Sequence, residues 1–424
     1  MANKSLRWMR LDNAAKIYPA ARRQNWSNVF RLSVTLKDKV DRQILQDALD
    51  ATVPRFPSMA ARLRKGMFWY YLQELEQAPR LSPEYAYPLA RMDRREMGGC
   101  ALRVIAYENH IAVELFHCLT DGNGGLVFLK TLTAEYLRRK YGTHIPCTHG
   151  VLDLSEAPGE EELEDSFLKY AGTVAASRKE ENAWKLSGTY EEEFLHLTCL
   201  RLSAPQALEK AHAYGVSLTA FLAAAMMQAL LRLQAAEVPN RKRRKAIKVL
   251  IPVNLRKLFP SRTLRNFVLF VTPGVDPRLG EYTFCELCKS VHHQMGQTIN
   301  AKHIGRIIAA NVADERNPLL KIVPLFIKNI VMKAVFDAVG ERKSCLTLSN
   351  LGRAELPDEM LAFVTRMDFI LSPQAMAPHN CGVICLSDTV YINFIRNIRE
   401  PMLEAAFYEV LREQGLTVTA ESNQ

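Results

Sequence analysis

The 424-residue sequence contains no run of about 18 uninterrupted apolar residues, and its first ten residues carry charges and a Trp where an exported chain would have an apolar leader. Neither a transmembrane segment nor a secretory signal is therefore expected, and a soluble, cytoplasmic protein is. Cysteine is scarce and odd in number, with nine residues scattered along the chain, which argues against a disulfide framework and for reduced thiols. Acidic residues are in deficit, 45 against 55 Lys and Arg, and the net charge of +10 calls for an anionic partner. The densest basic cluster, Arg241 to Lys245, has no aromatic residue among its members and no nucleic-acid-binding motif beside it. It reads as a solvated loop or a contact for phosphates, and nucleic acid is not expected as a partner.

What is present is an ordinary globular composition, 48% apolar and 24% charged, in a chain too long for one core. Two lobes are expected, 1–175 and 176–424, with the fading periodicity and acidic run of Gly159 to Asp165 near the crossover. Val29 to Leu36 alternates as a half-buried strand, and Asp41 to Val53 follows at helical spacing. Met67 to Leu72 is a further strand, and Ala101 to Tyr107 with His110 to Phe116 forms a hairpin turning at Glu108-Asn109. After the glycines Gly122, Gly124 and Gly125, Leu126 to Tyr136 reads as a helix. In the second half, strands are predicted at Phe194 to Leu202, Ala246 to Val253, Phe267 to Val271, Cys345 to Ser349, Thr365 to Leu371, Gly382 to Leu386 and Val390 to Ile395. Ser203 and Ser217 are candidate N-caps, the second opening the apolar run Leu218 to Leu231, which is too short and interrupted to span a membrane. Helices are expected near Tyr282 to Ile299, Pro318 to Val335 and Pro401 to Glu413. The fold class is α/β, and the hairpins imply mixed rather than parallel sheets.

The hairpin ends at His117. Leu115, Val113 and Ile111 share its face of the strand, so the imidazole is expected to project to the apolar side. A buried neutral imidazole keeps its lone pair at neutral pH, as a general base for a hydroxyl requires. A lone His at a strand end is more often a satisfied core residue, but here Asp121 and Gly122 follow at a turn, where the carboxylate can accept backbone or Arg hydrogen bonds.

The segment His117-Cys118-Leu119-Thr120-Asp121-Gly122, a His-x-x-x-Asp-Gly between strand and helix, resembles that of the superfamily containing chloramphenicol acetyltransferase, condensation domains, plant acyltransferases and wax ester synthases. The resemblance extends along the chain and is strongest to bacterial alcohol acetyltransferase-like proteins. Ala48 to Pro57 is similar to their first helix and its exit, and Gly215 to Leu222 to the start of their long second-lobe helix. Pro252 to Arg256 and Leu348 to Gly352 stand in the fitting order. Two features are lacking: Phe116 stands where many condensation domains have a second His, and the plant-type Asp-Phe-Gly-Trp-Gly segment is absent.

The resemblance implies two pseudo-equivalent lobes, each a mixed sheet flanked by helices, with a tunnel between them. It implies His117 as the general base that takes the proton of a hydroxyl or amine acceptor attacking an acyl thioester. Acyl-CoA, or an acyl carrier protein with its phosphopantetheine arm, would be the co-substrate, with no bound cofactor. Asp121 joins the catalytic segment as a structural support paired with an Arg, either Arg62 or Arg256. Gly122, Asn254 and Asn266 are candidates to line the tunnel, and Ser349 or Asn350 to donate to the oxyanion.

Rival readings remain. Cys285, Cys288, His292 and His293 share a helical face, but a Cys pair without a second pair is more often a packing feature, so no metal is expected. Cys118 points away from His117's face of the strand and is not expected to act as a nucleophile. Pro318 to Val335 is basic and amphipathic: an ordinary surface helix is preferred, with peripheral membrane contact or a lid over an acyl chain as the alternatives. A non-catalytic binding protein on the same fold is the remaining reading.

Overall fold

The computed structural model describes residues 6–21, 28–85, 87–172, 181–192, 194–316, 322–335, 341–374 and 377–423. The expected lobe boundary at 175/176 and the start of the helix expected at Pro318 lie outside them.

The first lobe is built on a four-stranded antiparallel sheet in the order Val364–Leu371, Val29–Leu36, His110–Phe116, Leu102–Tyr107. Leu32, Val34, Val113 and Leu115 bury themselves against the helices Arg42–Thr52 and Gly122–Tyr141. Alternation along the strands and helical spacing opposite them make this core, and Asp41 caps the first of the two helices through Gln43 N and Ile44 N. The tight hairpin turn places Glu108 at φ 48°, as the Glu108-Asn109 turn predicts.

The second lobe holds an eight-stranded mixed sheet. Its order is Gly274–Val275, Ile247–Asn254, Leu346–Arg353, His379–Leu386, Thr389–Arg396, His196–Ser203, Val418–Ser422, with Val268–Val271 alongside Ile247–Asn254. Leu346–Arg353 runs parallel to both neighbours, and the other pairings are antiparallel. The helix Leu218–Glu237, capped by Ser217, is the spine of this lobe's core. It is longer than the run anticipated: at 20 residues it is long and apolar enough to cross a membrane by length and composition, which corrects the expectation that it is too short. Ala223 to Met227 are fully buried under the helix Met402–Glu413 and the sheet, which accounts for its composition.

The lobes are joined by more than their linker. Val364–Leu371, from the second half of the sequence, pairs along its whole length with Val29–Leu36. It crosses His379–Leu386 so closely that a Cβ on Gly382 would meet Phe369 O at 2.2 Å, so only glycine fits there. A small third core, Phe167, Phe267, Ile304 and Ile308, closes the side of the junction.

Among the elements that differ from expectation are one hairpin and the helix after the motif. Met67 to Leu72 is a hairpin rather than one strand, with Ala61–Lys65 and Tyr70–Glu74 paired around a tip at Gly66 to Trp69. The helix after the motif begins at Gly122, not Leu126, because its glycines serve contact rather than turning: a Cβ on Gly124 would meet both Leu264 O and Thr120 Oγ1 at 2.2 Å. That close approach is where the first-lobe helix touches the second lobe.

Candidate active site

His117 follows the last residue of His110–Phe116, and its backbone N–H still donates to Asn28 O at 2.8 Å, so the strand's alternation carries the ring inward as expected. Tyr18 stacks on the imidazole at 4.5 Å between centroids, and Phe30 meets it edge-on at 5.2 Å. The ring lines a cavity of about 510 Å³ whose walls come from both lobes: Tyr18, Phe30 and Gly122 from the first, Thr219, Val253 and Ser349 from the second. Burial among these groups lowers the His117 pKa below its ordinary 6.5, against upward pulls from Asp121, Asn266 and Asp12. The residue keeps some accessible surface while its ring is neutral at pH 7.

The tautomer follows from hydrogen-bond accounting. Asn266 spends both amide hydrogens, on Asp12 Oδ2 at 3.1 Å and on His117 O at 3.0 Å. Its Oδ1, 2.9 Å from His117 Nδ1, is then an acceptor, so Nδ1 carries the proton. Nε2 is left with the lone pair. Asp12 is fully buried, and it also accepts from Ala15 N at 2.7 Å and lies 3.7 Å from the Arg265 guanidinium. Asn266, expected to line a tunnel, stands in the wall of this cavity with its side chain committed to holding the imidazole.

Asp121 caps the helix Gly122–Tyr141 through Asn123 N and Gly124 N, both at 3.1 Å to Oδ1. Its Oδ2 accepts from Arg256 Nη1 at 2.8 Å and Phe267 N at 2.9 Å, so the pairing partner is Arg256 and not Arg62. With four donors its lone pairs are filled, and it fastens the motif loop to the second lobe. Gly122 lies where a Cβ would meet Leu351 Cδ2 at 2.8 Å across the cavity wall.

Asn254 also lines the cavity, but its Oδ1 accepts from Arg256 N and Nη1, a structural cap. Asn350 donates to Thr219 Oγ1 at 3.0 Å and accepts from Gly352 N at 2.8 Å. Ser349 lines the cavity, and its hydroxyl has no hydrogen-bond partner among the described residues. Of the two oxyanion candidates, Ser349 has a wholly uncommitted hydroxyl, whereas Asn350 is tied to Thr219 and Gly352 and keeps one amide hydrogen unspent.

Cys118 is fully buried, and burial holds its thiol well above the ordinary range, so it stays protonated. No group of three or more metal-ligating side chains occurs among the described residues, and Cys288 packs in the second core. No residue of Arg241 to Lys245 lines the cavity, whereas the exposed Lys257 does. Sequence reasoning missed Asp12, Tyr18 and Lys257. No local pattern marks them: Asp12 and Tyr18 reach the site only because the N-terminal segment folds back across the junction.

Neither a protein-family model nor a curated protein matches the chain. Solved structures do. The chain is similar to polyketide synthase associated protein 5 from Mycobacterium tuberculosis, at 16% identity and a TM-score of 0.59 over 96% of this chain and 97% of that one. It is similar to F. graminearum TRI101 complexed with coenzyme A and T-2 mycotoxin, at 10% identity and 0.65 over 99% and 100%. It is also similar to the starter condensation domain of rhizomide synthetase RzmA, a mutant in complex with C8-CoA, at 14% identity and 0.61 over 96% and 94%.

Proposed function

From the premise that the chain has the two-lobed fold of condensation-domain and chloramphenicol acetyltransferase-like proteins, we propose that it is an acyltransferase working between its lobes. It moves an acyl group from an acyl thioester, acyl-CoA in the first instance, to the hydroxyl or amine of a small acceptor. The observation that carries this reading is the neutral His117, held by Asn266 with Nε2 as its free nitrogen, in the wall of a cavity bounded by both lobes.

Nε2 takes the proton of the acceptor hydroxyl as its oxygen attacks the thioester carbonyl and a C–O bond forms. Ser349 donates to the resulting oxyanion, and Asp121 holds the loop without touching the reacting atoms. The intermediate collapses, the C–S bond breaks, and the imidazolium returns its proton to the leaving thiolate. No covalent enzyme intermediate arises.

Purified protein supplied with acyl-CoA and a panel of alcohols and amines should release free thiol. His117→Ala should lower the rate by about 10²- to 10⁴-fold with an unchanged circular dichroism spectrum. Retention of full activity by that variant would sink the mechanism. The likeness to a polyketide synthase associated protein favours a second reading, in which the thioester is borne by a carrier protein. Turnover of carrier-bound but not CoA-bound acyl groups selects it, and absence of turnover with either donor selects a non-catalytic binding role.

A further inference from the structure

The helix Leu325–Val335 is oriented opposite to what an ordinary surface helix requires. Its internal lysine faces in: Lys328 is 7% exposed, donates to Phe68 O at 3.1 Å and sits 3.6 Å over the Trp69 ring. Apart from the buried Leu325, its largest apolar residues face out. Phe326, Ile327, Ile330 and Val331 are spaced on one helical stripe and all are exposed, Phe326 at 62% and Ile330 at 68%. This reverses the expectation that the apolar face packs against the protein.

The stripe is not isolated. Leu325 N donates to Met67 O, and Asn329 donates to Tyr70 OH, so the helix is fixed to the hairpin whose tip carries Met67, 76% exposed, and Phe68. Ile322 extends the same surface at the helix's N-terminal side. Fixing an apolar stripe outward costs free energy in water, and contiguous exposed patches of this kind mark interaction sites. The two segments that carry the surface are basic: 322–335 contains Lys328 and Lys333 and no acid, and 61–70 contains Arg62, Arg64 and Lys65 and no acid, while the neighbouring Glu315 is paired with Lys16, which shares the Trp69 ring with Lys328.

We propose that this face, formed by Phe326, Ile327, Ile330 and Val331 with Met67 and Phe68, docks the protein on a lipid bilayer carrying anionic headgroups. The apolar side chains enter the boundary between headgroups and acyl chains, while Lys65 and Lys333, both exposed, meet the headgroups. A protein partner would be expected to present acids among apolar residues, and a second copy of this chain would bring lysines against lysines, which disfavours self-association through this face. The helix packs against Ile17–Ala21, whose Tyr18 lines the cavity, so the docked face stands one helix away from the tunnel.

The full chain should sediment with phosphatidylcholine vesicles containing phosphatidylserine, and less so as salt rises. The double variant F326S/I330S, altered only at exposed positions, should keep the wild-type unfolding midpoint while its partitioning falls on the order of tenfold or more. Wild-type protein that stays in the supernatant with both neutral and anionic vesicles would overturn the proposal, as would undiminished binding by F326S/I330S. Equal binding to phosphatidylcholine alone overturns the commitment to an anionic surface. A wild-type dimer in solution that F326S/I330S converts to monomer assigns the face to a second copy instead. The measurement reads binding without activity, so it stands or falls independently of the acyl-transfer reading.

Discussion

At the scale of single residues, the site turns on which imidazole nitrogen holds the proton, and Asn266 decides that. Its Oδ1 accepts from Nδ1–H, which also favours the imidazolium. Burial opposes it more strongly and keeps the His117 pKa below 6.5. The imidazole is therefore neutral above that lowered value and gains a proton as pH falls through it, so with His117 as the proposed base the rate should drop on the acid side only below the range of a free His. Asn266→Ala removes one contribution that raises the pKa and frees the tautomer. The expected result is a kcat lower by roughly tenfold or more, with the acid limb of the profile moved to lower pH and the acceptor KM little changed. Loss of rate with an unmoved limb would mean that Asn266 only supports the fold. Ser349→Ala is the complementary test of the oxyanion assignment: kcat should fall about 10- to 10³-fold with KM nearly constant, and an unaltered kcat removes Ser349 from the reaction.

At the scale of elements, the motif is a strand end, a capped turn and a helix start pinned against the opposite lobe. Asp121→Ala deletes the cap of Gly122–Tyr141 and leaves the Arg256 guanidinium, itself largely buried, without its carboxylate. Breaking a buried pair in this way costs on the order of 3–5 kcal/mol, visible as a lower urea midpoint, whereas a shift under about 0.5 kcal/mol would contradict the assigned role. Gly124→Ala should be comparably damaging because its Cβ would strike the Leu264 carbonyl, backbone of the other lobe, as well as Thr120 Oγ1. Much of this scale was legible in sequence: Val29–Leu36 has the bounds its alternation predicts, and Ser203 and Ser217 both cap helices. The helix Ala301–Arg316 was not anticipated, although Ile304, Ile307, Ile308 and Val312 are regularly spaced, with Gly305 weakening the pattern. The sequence starts the helix only after glycines 122, 124 and 125, because their reason, close approach of distant backbone and packed side chains, is not encoded nearby. The partner of His117 was hidden for the same reason, since Asn266 is 149 residues away.

At the scale of the whole molecule, the two lobes cannot be understood as two successive halves of the chain. Val364–Leu371 supplies an outer strand of the first lobe's sheet, and no periodicity within either half reveals that register, because alternation tells a strand's faces but not its neighbour. The pairing covers Val29–Leu36 from Phe30 to Leu36, so a fragment ending at residue 172 would expose one full edge of that strand. It would also uncover core contacts that Met367, Phe369 and Ile370 make in the intact protein. An unpaired edge of this length beside apolar surface favours intermolecular pairing. The fragment 1–172 is thus expected in the insoluble fraction, or as large assemblies by size-exclusion chromatography, and to become soluble when 181–424 is supplied in trans. A monomeric 1–172 that unfolds cooperatively on its own would refute this dependence. It would mean that the crossing strand, with the cavity walls it brings from Phe369 and Leu371, is added to a lobe that is already complete.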